Sequence, residues 1–113
     1  MSDILDAAVL DDLLEYIGTD AAHAVIELFI GESRELAATI GAAETPREDV
    51  RRAAHSLKSS AGQLGASALA AAALAVEQAA ETNSAELPDH IAALTASAAE
   101  TESAMAAGAA PSG

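Results

Sequence analysis

The residues best suited to chemistry are His55 and the cations around it. The stretch RRAAHSLKSSAGQLGA, residues 51–66, contains Arg51, Arg52 and Lys58, three of the five Lys and Arg residues in a chain of 113. A neutral imidazole is a nucleophile, and it gains negative charge when it takes up a phosphoryl group. Nearby cations would offset that charge. The stretch is therefore suited to a histidine that carries a phosphoryl group.

Helical geometry predicts that His55 faces solvent. At about 100° per residue, a set of apolar positions falls within roughly 40° of Val50 and forms the predicted buried stripe. Its other members are Ala54, Leu57, Ala61 and Leu64. His55 lies about 140° from Val50, with the small residues Ser59 and Gly62 following it on the same exposed side. A metal-binding histidine would need a second histidine or a carboxylate three or four residues away, and neither is there. The pattern also fits an ordinary solvated helix face with an incidental histidine.

Composition excludes several classes of partner. The net charge is −13, with 18 acids, so we expect neither nucleic acid nor an anionic membrane to bind. Cysteine is absent, which removes disulfides and cysteine-ligated zinc and is compatible with the cytoplasm, where we expect the protein. The first residues, MSDILDAAVLDD, are acidic where a signal peptide would be basic.

The alanine-rich sequence predicts helices separated by short turns. We expect a short first helix over residues 3–17 ending at Gly18, and a second that begins after Thr19 as N-cap and ends at Gly41. The segment TPRE, residues 45–48, reads as a capping box, with Thr45 as cap, at the start of a third helix that runs to about residue 64.

The remaining helices are predicted from the same kinds of start and stop residues. Gly65 ends the third helix, Ser67 is positioned to cap a fourth, and ELPDH, residues 86–90, begins a fifth. Short connections favour antiparallel neighbours. The sequence thus predicts an all-α protein, an antiparallel four-helix bundle with a short extra N-terminal helix. We expect one domain over residues 1–113, a frayed tail over about 106–113, and a monomer, because one chain can bury its own apolar stripes.

The stretch AHSLKSSAGQLGASAL, residues 54–69, resembles the signature of histidine-containing phosphotransfer (HPt) domains. That signature reads His-x-Leu-Lys-Gly-Ser, a small stretch, and then Leu-Gly-Ala-x-x-Leu. The matching residues are His55, Leu57, Lys58, Ser60, Leu64, Gly65, Ala66 and Leu69. Residues 24–36, AVIELFIGESREL, resemble the family's second helix, and Glu77 stands where the motif often ends in Leu-Glu. The resemblance covers residues 4–80, with two departures: Ser59 replaces the usual glycine after the lysine, and Val76 replaces the leucine before Glu77.

The resemblance implies a function for each residue of the motif. HPt domains relay phosphoryl groups between aspartates of receiver domains in two-component phosphorelays, so His55 would be phosphorylated. Lys58 would compensate the phosphoryl charge, and Ser59 and Gly62 would leave room for the partner. The partners would be response-regulator receiver domains, with a hybrid histidine kinase as a further candidate. Magnesium would belong to the receiver, and no cofactor is expected on this chain.

Further expectations concern the other cations and histidines. Arg51 and Arg52 should act on the encounter with an acidic receiver surface. His23 and His90 are isolated, and we expect both to be ordinary surface residues.

Two alternatives to a relay protein stay open. The chain could be the phosphorylatable domain of a chemotaxis-type kinase, which takes phosphate from ATP through a separate catalytic domain. It could also be a helical adaptor that binds receivers without transferring phosphate. Autokinase activity is not expected, because sensor kinases commonly carry an acidic residue after the histidine and Ser56 stands there.

Overall fold

The structure, a computed structural model, describes residues 4–109 of the chain. Within this range the chain forms five α-helices and no strand. The helices are α1 (Ala7–Ile17), α2 (Thr19–Gly41), α3 (Arg47–Gln63), α4 (Ser67–Glu81) and α5 (Leu87–Ala109). The predicted all-α bundle with a short first helix is confirmed. Residues 110–113 of the predicted frayed tail lie outside the described range, and residues 106–109 belong to α5.

Helices α2 to α5 pack in a closed ring, in which each one contacts the next and α5 returns to α2. The shorter α1 lies against α2, and two backbone hydrogen bonds tie the segment before it to the α3–α4 turn and to the start of α4. The amide of Asp6 donates to the carbonyl of Gly65 at 2.7 Å, and the amide of Ala68 donates to Ile4 at 3.4 Å. No helix among residues 4–109 is long and apolar enough to cross a membrane.

The core contains the stripe that the sequence of α3 predicts. Val50, Ala54, Leu57, Ala61 and Leu64 are all buried. The facing helices contribute further buried side chains, which include Leu69, Ala73 and Val76 from α4 and Leu94 and Met105 from α5. Because α3 buries this stripe against its neighbours, its opposite side is left to solvent.

Gly65 is required by the turn between α3 and α4. Its φ of +74° lies in the left-handed region that glycine adopts most readily. A Cβ at this position would lie 2.8 Å from Cβ of Val9 and 2.9 Å from the carbonyl oxygen of Asp6. The turn therefore depends on glycine both for its backbone angle and for the close approach of α1.

The predicted capping box at the start of α3 is wrong. Pro46 occupies the N-cap position, and no side chain caps the helix there. The hydroxyl of Thr45 instead donates to the carbonyl of Thr39 at 2.6 Å, so it secures the loop to the end of α2. The side chain of Glu48 accepts hydrogen bonds from Arg51 and does not cap the helix start.

Two other predicted caps are also corrected. Thr19 and Ser67 are the first residues of their helices, and the N-cap positions belong to Gly18 and Ala66. The first helix begins at residue 7 rather than 3, because Asp6 caps it by accepting a hydrogen bond from the amide of Ala8 at 3.1 Å. These differences shift helix starts by a few residues and leave the bundle unchanged.

Candidate functional site

His55 lies near the middle of α3, on the side opposite the buried stripe. Its side chain is 57% exposed, as the helical spacing predicts. Ser59 and Gly62 are exposed one and two turns further along the helix. A Cβ added at Gly62 would meet no atom within 4 Å, so nothing inside the protein requires a glycine there. The surface beside the imidazole therefore carries only small side chains and is accessible.

The imidazole contacts a carboxylate on the neighbouring helix. Glu77 lies in α4, and its side chain is only 9% exposed. Its Oε2 is 2.8 Å from Nδ1 of His55, and its Oε1 accepts a hydrogen bond from Nζ of Lys58, also at 2.8 Å. One carboxylate thus joins the two α3 residues that the sequence singles out.

The charge of Glu77 follows from these contacts. The hydrogen bond from Lys58 lowers the pKa of Glu77, and the bond to His55 lowers it further, against the opposing effect of burial. An ionised carboxylate can only accept hydrogen bonds. Nδ1 of His55 therefore carries a proton and donates a hydrogen bond to Glu77, and in the neutral form of the ring Nε2 then has a free lone pair.

The two arginines near His55 are engaged with another acid. Arg51 binds Glu48 through two hydrogen bonds, Nε to Oε1 at 2.6 Å and Nη2 to Oε2 at 2.8 Å. Nε of Arg52 lies 3.9 Å from Oε2 of the same carboxylate. Of the three cations predicted to surround the imidazole, two are thus turned toward Glu48 and the third, Lys58, is turned toward Glu77.

The remaining histidines do not join this site. Nε2 of His90 lies 4.0 Å from Oε2 of Glu86, one turn earlier in the chain. His23 is half-buried near the start of α2. Within residues 4–109, no group of three or more histidine, aspartate or glutamate side chains is arranged to hold a metal ion.

The contact between Glu77 and His55 is not predicted by the sequence. Its position in the family motif was the available signal, but the partner histidine is 22 residues away and its contact depends on how α3 and α4 pack. The pairing of Glu48 with Arg51 had a simpler signal, since residues three apart on a helix are neighbours.

One protein-family model matches most of the chain. The family model described as the Hpt domain matches residues 24–107, which include His55, Lys58 and Glu77. The fold is the helical bundle expected of that class, and the chain belongs to the Hpt domain family. No curated protein and no solved structure gave a significant match.

Proposed function

We propose that this protein accepts a phosphoryl group on Nε2 of His55 from the aspartyl phosphate of a receiver domain and passes it to an aspartate of another receiver. The observation that carries the proposal is the contact between Nδ1 of His55 and the buried carboxylate of Glu77. It gives an exposed imidazole one fixed tautomer, with the unprotonated nitrogen available to a partner. Membership of the Hpt family supports the same role.

The transfer step involves His55, Glu77 and the aspartyl phosphate of the receiver. The lone pair of Nε2 attacks phosphorus, the Nε2–P bond forms, and the P–O bond to the receiver aspartate breaks, which releases a carboxylate. The Nδ1 proton stays on the ring. As the ring becomes positive, Glu77 stabilises that charge across the 2.8 Å contact. Onward transfer is the reverse step, with the second receiver's aspartate as nucleophile and Mg²⁺ supplied by the receiver.

Lys58 is the second functional residue in this proposal. Its side chain is 32% exposed and bound to Glu77, one turn along the helix from His55. When a phosphoryl group is present, its ammonium group can turn from the carboxylate to a phosphoryl oxygen and compensate the charge. Ser59 and Gly62 are small and leave room for the receiver to approach Nε2. Arg51 and Arg52 contact the acidic surface of the receiver.

We further propose that the chain acts as a single domain and as a monomer in the cytoplasm. The bundle supports this, because the apolar stripes of α2 to α5 are buried against one another within one chain. The acidic surface favours a chain that stays dispersed between encounters.

A phosphotransfer assay tests the proposal. The protein is mixed with a panel of receivers carrying ³²P on their aspartates, and we expect label on this chain that is labile in acid and stable in alkali, as a phosphoramidate is. His55→Ala should abolish the label and keep the helical content, because the side chain is exposed. His23→Ala and His90→Ala should transfer at the parent rate.

Two outcomes would contradict the proposal. Label retained in the His55→Ala variant would place the phosphoryl group elsewhere. Tight binding of the receivers with no label on the chain would identify an adaptor rather than a relay protein.

A further inference from the structure

The cations of this protein are concentrated on one helix. Four of the five, Arg47, Arg51, Arg52 and Lys58, belong to α3, whereas the acids are spread over all five helices. An acidic partner is therefore attracted to α3 and repelled by most of the remaining surface. The charge on the side of α3 that bears His55 determines how strong that attraction is.

An acid of α3 itself opposes the attraction on that side, in addition to Glu77 and Glu81 on the neighbouring helix α4. Glu48 lies in the first turn of α3, within about 20° of His55 around the helix axis. It accepts both hydrogen bonds of Arg51 and lies within ion-pair distance of Arg52. The two arginines nearest His55 on its N-terminal side therefore already have an acidic partner.

This ion pair can be displaced. The side chain of Glu48 is more than half exposed, and exposed pairs between neighbours on one helix are weak and screened by salt. An acidic group on an approaching protein can thus take the place of Glu48 on Arg51. It must compete with Glu48 to do so, and it meets the repulsion of that carboxylate on the way.

We propose that Glu48 is a specificity-determining residue, an internal competitor that holds Arg51 and Arg52 and lowers the association rate of acidic partner surfaces at His55. The inference rests on the proposed function, because the partner is the acidic surface around a receiver's phosphorylated aspartate. Partners with enough acidic groups to displace Glu48 associate productively, and weakly acidic partners are disfavoured.

A matched control is available in the next residue. Asp49 lies in the same first turn of α3, is exposed, and is about 120° from His55 around the helix axis. Glu48→Gln and Asp49→Asn each remove one negative charge and one favourable interaction with the helix N-terminus. If Glu48 acted only through stability or net charge, the two substitutions would change the association rate to the same extent.

The test measures association by stopped-flow fluorescence with a labelled receiver over a range of salt concentrations. Glu48→Gln should raise the association rate by about two- to fivefold at low ionic strength and steepen its salt dependence, whereas Asp49→Asn should have a smaller effect. With Arg51 and Arg52 both replaced by glutamine, Glu48→Gln should lose most of its effect. Equal effects of the two single variants, or an unchanged gain without the arginines, would overturn the inference.

Phosphorylation of His55 is measured in the same samples. If it proceeds while Glu48→Gln leaves association unchanged, the inference on Glu48 fails and the proposed function stands. If no variant and no parent protein is phosphorylated by a receiver that binds, the proposed function itself fails.

Discussion

Two carboxylates join helices on different sides of the bundle, and they do so differently. Glu77 is almost completely buried between α3 and α4 and accepts hydrogen bonds from two residues, His55 and Lys58. Glu102 on α5 is 33% exposed and binds one residue of α2, Arg34, through two hydrogen bonds of 2.7 and 2.8 Å.

The comparison shows what burial adds to an ion pair. In both sites the dominant hydrogen bond from a cation lowers the pKa of the carboxylate. At Glu102 the cation is mostly exposed, so the pair is screened and contributes little beyond holding two surfaces together. At Glu77 the carboxylate is held in place by the packing of α4, so it can fix the orientation and tautomer of an exposed imidazole. The Glu102 site is a surface contact, whereas under the proposed function the Glu77 site positions the reactive imidazole.

A bulky substitution should give the largest difference in phosphoryl-transfer rate between the two sides of the bundle. Ser59→Leu places a large side chain one turn from His55, where the receiver must approach, and we expect phosphoryl transfer to fall by about 100-fold or more. Ser103→Leu makes the same change at an exposed position of α5 beside Glu102 and should transfer at the parent rate. Initial rates with one phosphorylated receiver measure both. Equal rates for the two variants would show that the face around Ser59 is not the docking surface.

Removing each carboxylate's charge tests the comparison directly. Glu77→Gln should lower the transfer rate by about 10- to 100-fold, the scale expected when the group that orients a catalytic imidazole is lost. Glu102→Gln should leave the rate unchanged. Single-turnover kinetics at saturating receiver separate this effect from weaker binding. A parent-like rate for Glu77→Gln would show that the contact with His55 has no role in transfer.

The lowered pKa of Glu77 also predicts a pH dependence of stability. Because the folded pKa lies below the unfolded value of 4.5, the ionised carboxylate stabilises the fold fully above that value. The stabilisation is lost as pH falls through the lower folded pKa. We expect Glu77→Gln to reduce the free energy of unfolding by about 1 to 2 kcal/mol at pH 7. Urea denaturation should show that the difference shrinks toward pH 3, and a constant difference would contradict this.

The smallest predicted effect is a gain of stability on the other side of the bundle. The hydroxyl of Thr101 in α5 is buried and has no hydrogen-bond partner. Thr101→Val replaces it with a methyl group of similar size and should raise the free energy of unfolding by about 1 kcal/mol. Phosphoryl transfer should not change. Thermal denaturation measures the gain, and a loss of stability would show that the hydroxyl is satisfied in solution.

The fold could be predicted from sequence because it depends on local periodicity. The spacing of Val50, Ala54 and Leu57 determines which side of α3 is buried, and therefore that His55 is exposed. Helix starts were harder to predict, since a hydroxyl such as that of Thr45 has several backbone acceptors within reach and the loop geometry decides among them. The helical spacing was enough to predict that His55 is exposed, but not which side chain it contacts.

The partners depend on packing between helices. Glu77 reaches His55 only because α4 returns along α3 in one register, which no local pattern specifies. The same packing turns Lys58 toward Glu77 rather than toward solvent. Closeness in sequence between a cation and a histidine therefore predicts their interaction less well than the ion pairs that each forms in the folded protein.

We propose that Glu77 keeps a proton on Nδ1 of His55 by accepting its hydrogen bond, so that Nε2 accepts the phosphoryl group. NMR of protein labelled with ¹⁵N-histidine, phosphorylated by its receiver, tests this through the coupling between ³¹P and the ring nitrogens. We expect phosphorus on Nε2 of His55 and a proton on Nδ1, and we expect the signal of that proton to shift in the Glu77→Gln variant. Phosphorus on Nδ1, or on any residue other than His55, would contradict it.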